Sequence, residues 1–242
     1  MAVTTVTLFS TCLGEMIFPE APAAAETVLK RLGLNVKRIR RSFCCGQAAF
    51  NEGLRHEALG LARRFLKACK PGTPIIVPSG SCTSMLRVFY PDLLAEEPRL
   101  LEKYKALRPW IFEFSEFLVN VLKVKDVGAR FERSVAYHPS CHLMRELNLR
   151  REPQMLLSGV RGIRICELKH NTECCGFGGL FSVKFPHIST AMLDDKLASI
   201  KESGAEVLVA NDSGCLMQIG GGLHRHHDAI ETRHLAEILA SR

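Results

Sequence analysis

The chain has 242 residues, 47% of them apolar and 24% charged, with a net charge of +7. That is enough for one large or two small globular domains, and no low-complexity tract argues for disorder. No apolar run approaches the roughly 20 residues that cross a bilayer, and the start Met1-Ala2-Val3-Thr4-Thr5-Val6 lacks a secretory signal's basic flank and apolar stretch. A cytoplasmic, non-membrane-spanning protein is therefore expected, in which cysteines stay reduced and serve metals or catalysis.

In chain order, Val3 to Phe9 is β-branched and apolar and runs into Cys12, which predicts a strand. Pro22 stands where a helix can begin, and Ala25, Val28, Leu29 and Leu32 have the spacing of a buried helix face, with Gly33 as its left-handed cap. A second strand, Leu34 to Ile39, leads to Cys44-Cys45-Gly46, and a helix carrying Leu54, Ala58, Leu61 and Phe65 follows. After Pro71-Gly72 a third strand, Pro74 to Val77, ends at Ser79-Gly80-Ser81-Cys82. Asp92 to Arg108 reads as a charged insertion, and Phe114, Phe117, Leu118, Val121 and Leu122 make a closing helix.

The same order then recurs. Ser134 to Tyr137 precedes Cys141, Pro153 opens a helix, and Gly162 is the counterpart of Gly33. Ile163 to Leu168 leads toward Cys174-Cys175-Gly176, and Leu193, Leu197 and Ile200 mark the next helix. Gly204 precedes a strand from Glu206 to Ala210 that ends at Asp212-Ser213-Gly214-Cys215, and Leu235, Ile238 and Leu239 close the copy. The expected division is 1–123, a linker over 124–133, and 134–242. Strands alternating with helices predict an α/β fold of two pseudo-repeated, Rossmann-like βαβ halves with parallel sheets. Each cluster cysteine then falls past a strand's C-terminal end, where open α/β sheets bind ligands. The two sites are expected to face each other across a pseudo-twofold axis.

Eight of the ten cysteines form two quartets, Cys12, Cys44, Cys45, Cys82 and Cys141, Cys174, Cys175, Cys215, offset by 129, 130, 130 and 133 residues. Chance and ordinary burial explain this poorly; sulfur-ligated metal explains it well. Zinc sites commonly use CxxC knuckles, and none is present. Adjacent cysteines diverge on an extended backbone, which suits the separate iron corners of a cluster, and four thiolates match a [4Fe–4S] centre. One such cluster per repeat is expected, with zinc in one copy, or structural or thiol-redox cysteines, as alternatives. Gly46 and Gly176 would permit positive φ or close backbone approach beside it.

Other residues read more plainly. Cys69 and Cys166 have no counterparts and are expected to pack as buried side chains. His138 and His142 flank Cys141, where they could hydrogen-bond sulfur, supply a ligand, cap a helix turn or lie exposed. His224, His226 and His227 read as a solvated loop after Gly220-Gly221-Gly222, with metal binding the alternative, and Asp212 has no role legible from sequence. The basic run Lys37-Arg38-Ile39-Arg40-Arg41 reads as a solvated sheet edge without aromatic interleaving, so no nucleic acid is expected. Neither copy has a dinucleotide or phosphate-loop glycine motif after a strand.

The phrases Cys44-Cys45-Gly46-Gln47, Ser79-Gly80-Ser81-Cys82-Thr83, His138-Pro139-Ser140-Cys141, Cys174-Cys175-Gly176-Phe177-Gly178-Gly179 and Ser213-Gly214-Cys215-Leu216 carry a family resemblance. They resemble the tandem CCG cysteine-rich domains of heterodisulfide reductases and of glycolate oxidase iron–sulfur proteins, and more closely the lactate utilization protein A family. The resemblance implies an iron–sulfur electron-transfer subunit of a complex oxidising L-lactate to pyruvate, with two partner subunits, one carrying ferredoxin-like clusters. It implies no flavin. The full motif ends in a further cysteine, replaced here by Met85 and Gln218, so disulfide-cleaving chemistry loses its fifth thiolate. A heterodisulfide- or quinone-linked reductase subunit, or a structural zinc protein serving as a docking surface, are the rival readings.

Overall fold

The computed structural model describes residues 3–39 and 43–242. Two four-stranded sheets, every pair parallel, stand one in each copy. The first, ordered β2-β1-β3-β4, comprises β1 (Thr5–Leu8), β2 (Asn35–Arg38), β3 (Ile75–Val77) and β4 (Ile111–Glu113). The second, ordered β6-β5-β7-β8, comprises β5 (Ser134–His138), β6 (Arg164–Cys166), β7 (Val207–Ala210) and β8 (Glu231–His234). The register repeats: Thr7 opposes Ile75 in one sheet, and Val135 opposes Val207 in the other. Interleaved helices complete an α/β fold of two repeated halves. β4 and β8 are additions to the three strands per copy expected from sequence.

In this order the chain reverses direction between β1 and β3, and between β5 and β7. The crevice outside the strand ends at such a reversal is where open sheets hold ligands. Cys12 and Cys82 follow β1 and β3, and Cys141 and Cys215 follow β5 and β7.

Gly33 and Gly162 both have positive φ, at +82° and +78°. The helix before Gly33, Glu20–Arg31, forms as its spacing predicts, with Ala25, Val28 and Leu29 fully buried. It packs against the helix Leu235–Ala240 of the other copy, and the Glu152–Ser158 helix returns the contact on Phe114–Glu116. One core runs through both halves, joining Val6, Leu8, Val28 and Leu29 to Val135, Val207, Leu235 and Leu239. Val127 and Ala129, from the connection between copies, are buried in it. Arg31 donates to the carbonyls of Val127, Leu239 and Ala240 at 3.2, 3.1 and 2.6 Å, which fixes the seam.

The charged stretch after Tyr90 folds as the helices Tyr90–Leu93 and Pro98–Leu107, held by Arg63–Glu97 at 2.5 Å. Lys37 and Arg38 lie on β2, an exposed sheet edge as expected; Arg40 and Arg41 lie outside the described residues, as do Met1 and Ala2. Gly220, Gly221 and Gly222 correct an expectation. They sit inside the helix Ser213–Arg225 rather than opening a loop. A Cβ on Gly222 would stand 2.9 Å from Leu197 and 3.0 Å from Leu193, and one on Gly220 3.0 Å from Thr232. Close packing against two neighbours outweighs glycine's poor helix propensity. No helix of the described residues is long and apolar enough to cross a membrane.

Candidate metal centre

The loops after β1, β3, β5 and β7 deliver one cysteine each by leading straight into a helix, and those after β2 and β6 deliver the adjacent pairs. Thr11 and Ser140 cap the helices Cys12–Met16 and Cys141–Arg145, accepting from the N–H of Gly14 and of Leu143. Ser79 caps Gly80–Ser84 by accepting from the N–H of Cys82, and Asp212 precedes Ser213–Arg225. Cys12, Cys82, Cys141 and Cys215 thus lie in first helical turns. Thr11 reaches its place at φ +64°, ψ 164°, a conformation costing a β-branched residue roughly 1–3 kcal/mol, whereas Ser140 is relaxed at φ −65°.

Each adjacent pair turns on a glycine. Gly46 and Gly176 have φ of +96° and +82°, and each donates its N–H to the first sulfur of its pair, Cys44 or Cys174, at 3.4 Å. In both copies this first sulfur is the common acceptor. Hydrogen bonds from Cys12 and Cys45, then the Gly46 N–H, pull Cys44 well below the thiol range, against the opposing effect of burial. Cys141, Cys175 and the Gly176 N–H do the same for Cys174. The donors move the other way: Cys12, Cys45, Cys141 and Cys175 are pushed up, first by these hydrogen bonds. Cys45 also contacts Cys82, and Cys175 contacts Cys215. The sulfurs of each quartet are therefore drawn together.

All eight line one cavity of about 240 Å³. At its seam Asp212 spans the two copies. Its carboxylate accepts from Ser79 Oγ at 2.7 Å, Ser81 Oγ at 2.6 Å and the Ser81 N–H at 3.0 Å. Asp212 occupies the position of Ser79 in its own repeat, so the pseudo-twofold axis pairs a serine with an acid. Beneath it, Asn211 donates to Glu113 at 2.9 Å and accepts from Tyr137 at 2.9 Å, while His234 Nε2 lies 3.0 Å from its carbonyl. Burial pushes the Glu113 carboxyl up to about 7 and pulls the His234 imidazole down.

His138 and His142 separate cleanly. His138 is buried, with both ring nitrogens unpartnered, and a ring nitrogen and the sulfurs of Cys175 and Cys215 lie within 4.8 Å of one another. Burial, then Lys196, pulls it down to about 3, so its ring is neutral. His142 lines the cavity 3.4 Å from Gln47 and 3.2 Å from Glu146. His224, His226 and His227 are exposed, with His226 Nε2 3.9 Å from Asp194. Met85 is buried in the first copy's core, and Gln218 donates to Ser189 at 3.0 Å; neither lines the cavity. Cys69 is buried, which raises it to about 12, and half-buried Cys166 packs on the second core.

All ten cysteines are free thiols. The donor set is soft, and convergent thiols with backbone N–H groups directed at sulfur fit a thiolate-bound metal or iron–sulfur centre.

Comparison with known proteins decides the family. The cysteine-rich domain family CCG matches residues 6–87 and again 135–220. Lactate utilization protein A of Bacillus subtilis (strain 168) is 43% identical over 237 residues, 98% of this chain and 99% of its own. That of Bacillus pumilus (strain SAFR-032) is 42% identical with the same coverage. The chain belongs to the lactate utilization protein A family. Among solved structures, a hypothetical protein from Helicobacter pylori superposes with a TM-score of 0.71 at 12% identity. The match covers 99% of this chain and about half (49%) of that one, and it supports the fold alone.

Sequence reasoning did not assign Asp212, Lys196, Glu113 or Asn211. The usable signal for Asp212 was its alignment with Ser79, an acid where the repeat has a hydroxyl.

Proposed function

We propose that this chain takes part in lactate utilization as the iron–sulfur electron-transfer subunit of a cytoplasmic complex oxidising L-lactate to pyruvate. Cys12, Cys44, Cys45 and Cys82 would hold one [4Fe–4S] cluster, and Cys141, Cys174, Cys175 and Cys215 a second, one per repeat in the division 1–123 and 134–242. The observation that carries this reading is the convergence of both quartets on one cavity, each with a backbone N–H on sulfur. The clusters, when bound, would accept and release single electrons. The protein's own part is to hold the thiolates, to shield Cys45, Cys82, Cys175 and Cys215 from water, and to keep the two sites within one rigid seam through Asp212. Two partner subunits, one with ferredoxin-like clusters, would supply and remove the electrons. Full-length similarity to proteins named for lactate utilization supports the pathway.

Anaerobic purification with iron, sulfide and zinc quantified, alongside electron paramagnetic resonance, tests the site. Roughly eight irons and eight sulfides per chain are expected; zinc without iron would overturn the redox reading. Loss of growth on L-lactate on deleting the gene, in a strain without other lactate dehydrogenases, tests the pathway.

A further inference from the structure

We propose that the two sites are unequal in potential, and that His138 and Lys196 make the second quartet the electron-holding, higher-potential centre. This rests on the cluster reading above. The repeat itself supplies the control. His138 occupies the position of Phe9, by the 129-residue offset that relates Cys141 to Cys12. Gly176 meets the Ser189 carbonyl as Gly46 meets that of Ala58, which aligns Lys196 with Phe65. Behind the first quartet, Phe9 therefore packs on Phe65 and Phe43, with ring centroids 5.4 and 5.3 Å apart. Behind the second, the same two positions carry an imidazole and an ammonium.

Both are 1% exposed. Lys196 has a single hydrogen bond among the described residues, to the His170 carbonyl at 2.7 Å; burial pulls its ammonium below the usual lysine range, and Glu173, then Cys175, Cys174 and Cys215, oppose that fall. His138 has none, with its ring against the sulfurs of Cys175 and Cys215. Burying a cation and an unpartnered imidazole is costly, and Phe9 and Phe65 show that the fold does not require it. A negatively charged centre held by the neighbouring thiolates would offset the cost. With four thiols already in the quartet, His138 would serve a bound centre as an N–H donor toward sulfur rather than as a ligand.

Net charge and hydrogen bonds to sulfur set cluster potentials. A reduced cluster carries one more negative charge, which a buried cation and an N–H donor stabilise and phenyl rings do not. Two acids oppose the effect. Glu173 is half exposed, and Asp212 is hydrogen-bonded to Ser81, next to Cys82, so its charge is shared by both quartets. With both quartets loaded, transfer between them would be a one-electron step from the centre held by Cys12, Cys44, Cys45 and Cys82 to the one held by Cys141, Cys174, Cys175 and Cys215, with no bond made or broken. The first electron comes from a low-potential iron–sulfur donor, or from dithionite in vitro.

The test is a potentiometric titration of the anaerobically purified full chain, followed by electron paramagnetic resonance, with iron and sulfide counted in the same sample. Two resolved one-electron transitions are expected, and Cys141→Ser should abolish the higher one. Lys196→Leu and His138→Phe should each lower that transition and leave the other in place; for Lys196→Leu the expected shift is at least tenfold in the equilibrium between centres, about 59 mV. Coincident transitions in a protein holding eight irons would overturn the inference while leaving the cluster reading intact. So would loss of the lower transition in Cys141→Ser, or Lys196→Leu without effect. Absence of iron would defeat the cluster reading itself. Should the charge variants fail to fold, the wild type and Cys141→Ser decide the matter.

Discussion

The two halves share strand order, register and the thiol geometry of the site, yet they differ at the positions that surround it. The first quartet is backed by Phe9 and Phe65 and faces a polar wall, where His142 from the other copy meets Gln47. The second is backed by His138 and Lys196 and faces an apolar wall, where Leu13 and Phe177 flank Gly214. By the repeat offsets, His142 stands for Leu13 and Gln47 for Phe177. Polarity has been exchanged between the inner and outer sides of the two sites. Local backbone geometry thus follows the repeated motif, while the electrostatic setting follows individual side chains that no motif prescribes.

The largest expected test of this contrast is truncation behind each site. Phe65 is fully buried, so Phe65→Ala should destabilise the protein by about 3–5 kcal/mol in denaturant unfolding. In the metal-free chain Lys196→Met at the equivalent position should be near neutral, because a buried charge exchanged for an apolar chain of similar volume escapes its desolvation cost. Equal losses would mean that the Lys196 side chain is structural.

A second contrast concerns the two buried helix caps, Glu113 and His234, each with the glutamate three residues on returning the bond. Between 4.5 and about 7 the folded chain keeps a proton on Glu113 that the unfolded chain has lost. Its contribution is therefore present at low pH and is lost as pH rises through that window, by about 3 kcal/mol in all. His234 has the opposite sign: its folded value lies below 6.5, so stability is lost as pH falls from there. Thermal unfolding across pH should lose the neutral-side decline in Glu113→Gln and weaken the acid-side decline in His234→Asn. Unchanged profiles would remove both assignments.

At the seam, Asp212→Asn replaces a carboxylate that accepts from two hydroxyls and an amide, and should cost about 2 kcal/mol. Ser79→Ala, on the other side of the axis, should cost less, since Ser81 still holds the acid. The smallest effect separates the two glycines. A Cβ on Gly176 would lie 2.5 Å from the Ser189 carbonyl, against 3.5 Å from Ala58 for Gly46. Gly46→Ala should cost about 1–2 kcal/mol from positive φ alone, and Gly176→Ala should cost more, as read from unfolding midpoints.

Much of this architecture was legible in the sequence, for reasons that also mark the limits. Val3 to Phe9 and Glu206 to Ala210 are rich in β-branched and apolar residues and stand shortly before a cysteine, and repetition reinforced each of them. β4 and β8 were not legible: Ile111–Glu113 is three residues long, and Glu231–His234 (ETRH) has no aliphatic residue. Their pairing comes from the neighbouring strand rather than from their own composition. The Gly220–Gly222 run read as a breaker because its compensation, contact with Leu193, Leu197 and Thr232, is tertiary. At the site, cysteine spacing identified the quartets, but the contacts of Asp212, His138 and Lys196 join residues 26 to 133 positions apart, beyond any local pattern.

The reach of Arg31 to the last helix has a consequence for biosynthesis. Its bonds to Leu239 and Ala240 close sequence separations of 208 and 209 residues, and the helix that carries it buries its apolar face on Leu235–Ala240. During translation the first repeat must wait on the ribosome with that face uncovered until almost the whole chain has emerged. Contacts this distant in sequence form slowly and leave intermediates prone to aggregation. Loading of the proposed cluster into the first quartet is then expected after synthesis, and a nascent chain stalled near residue 123 should engage chaperones more than one released complete.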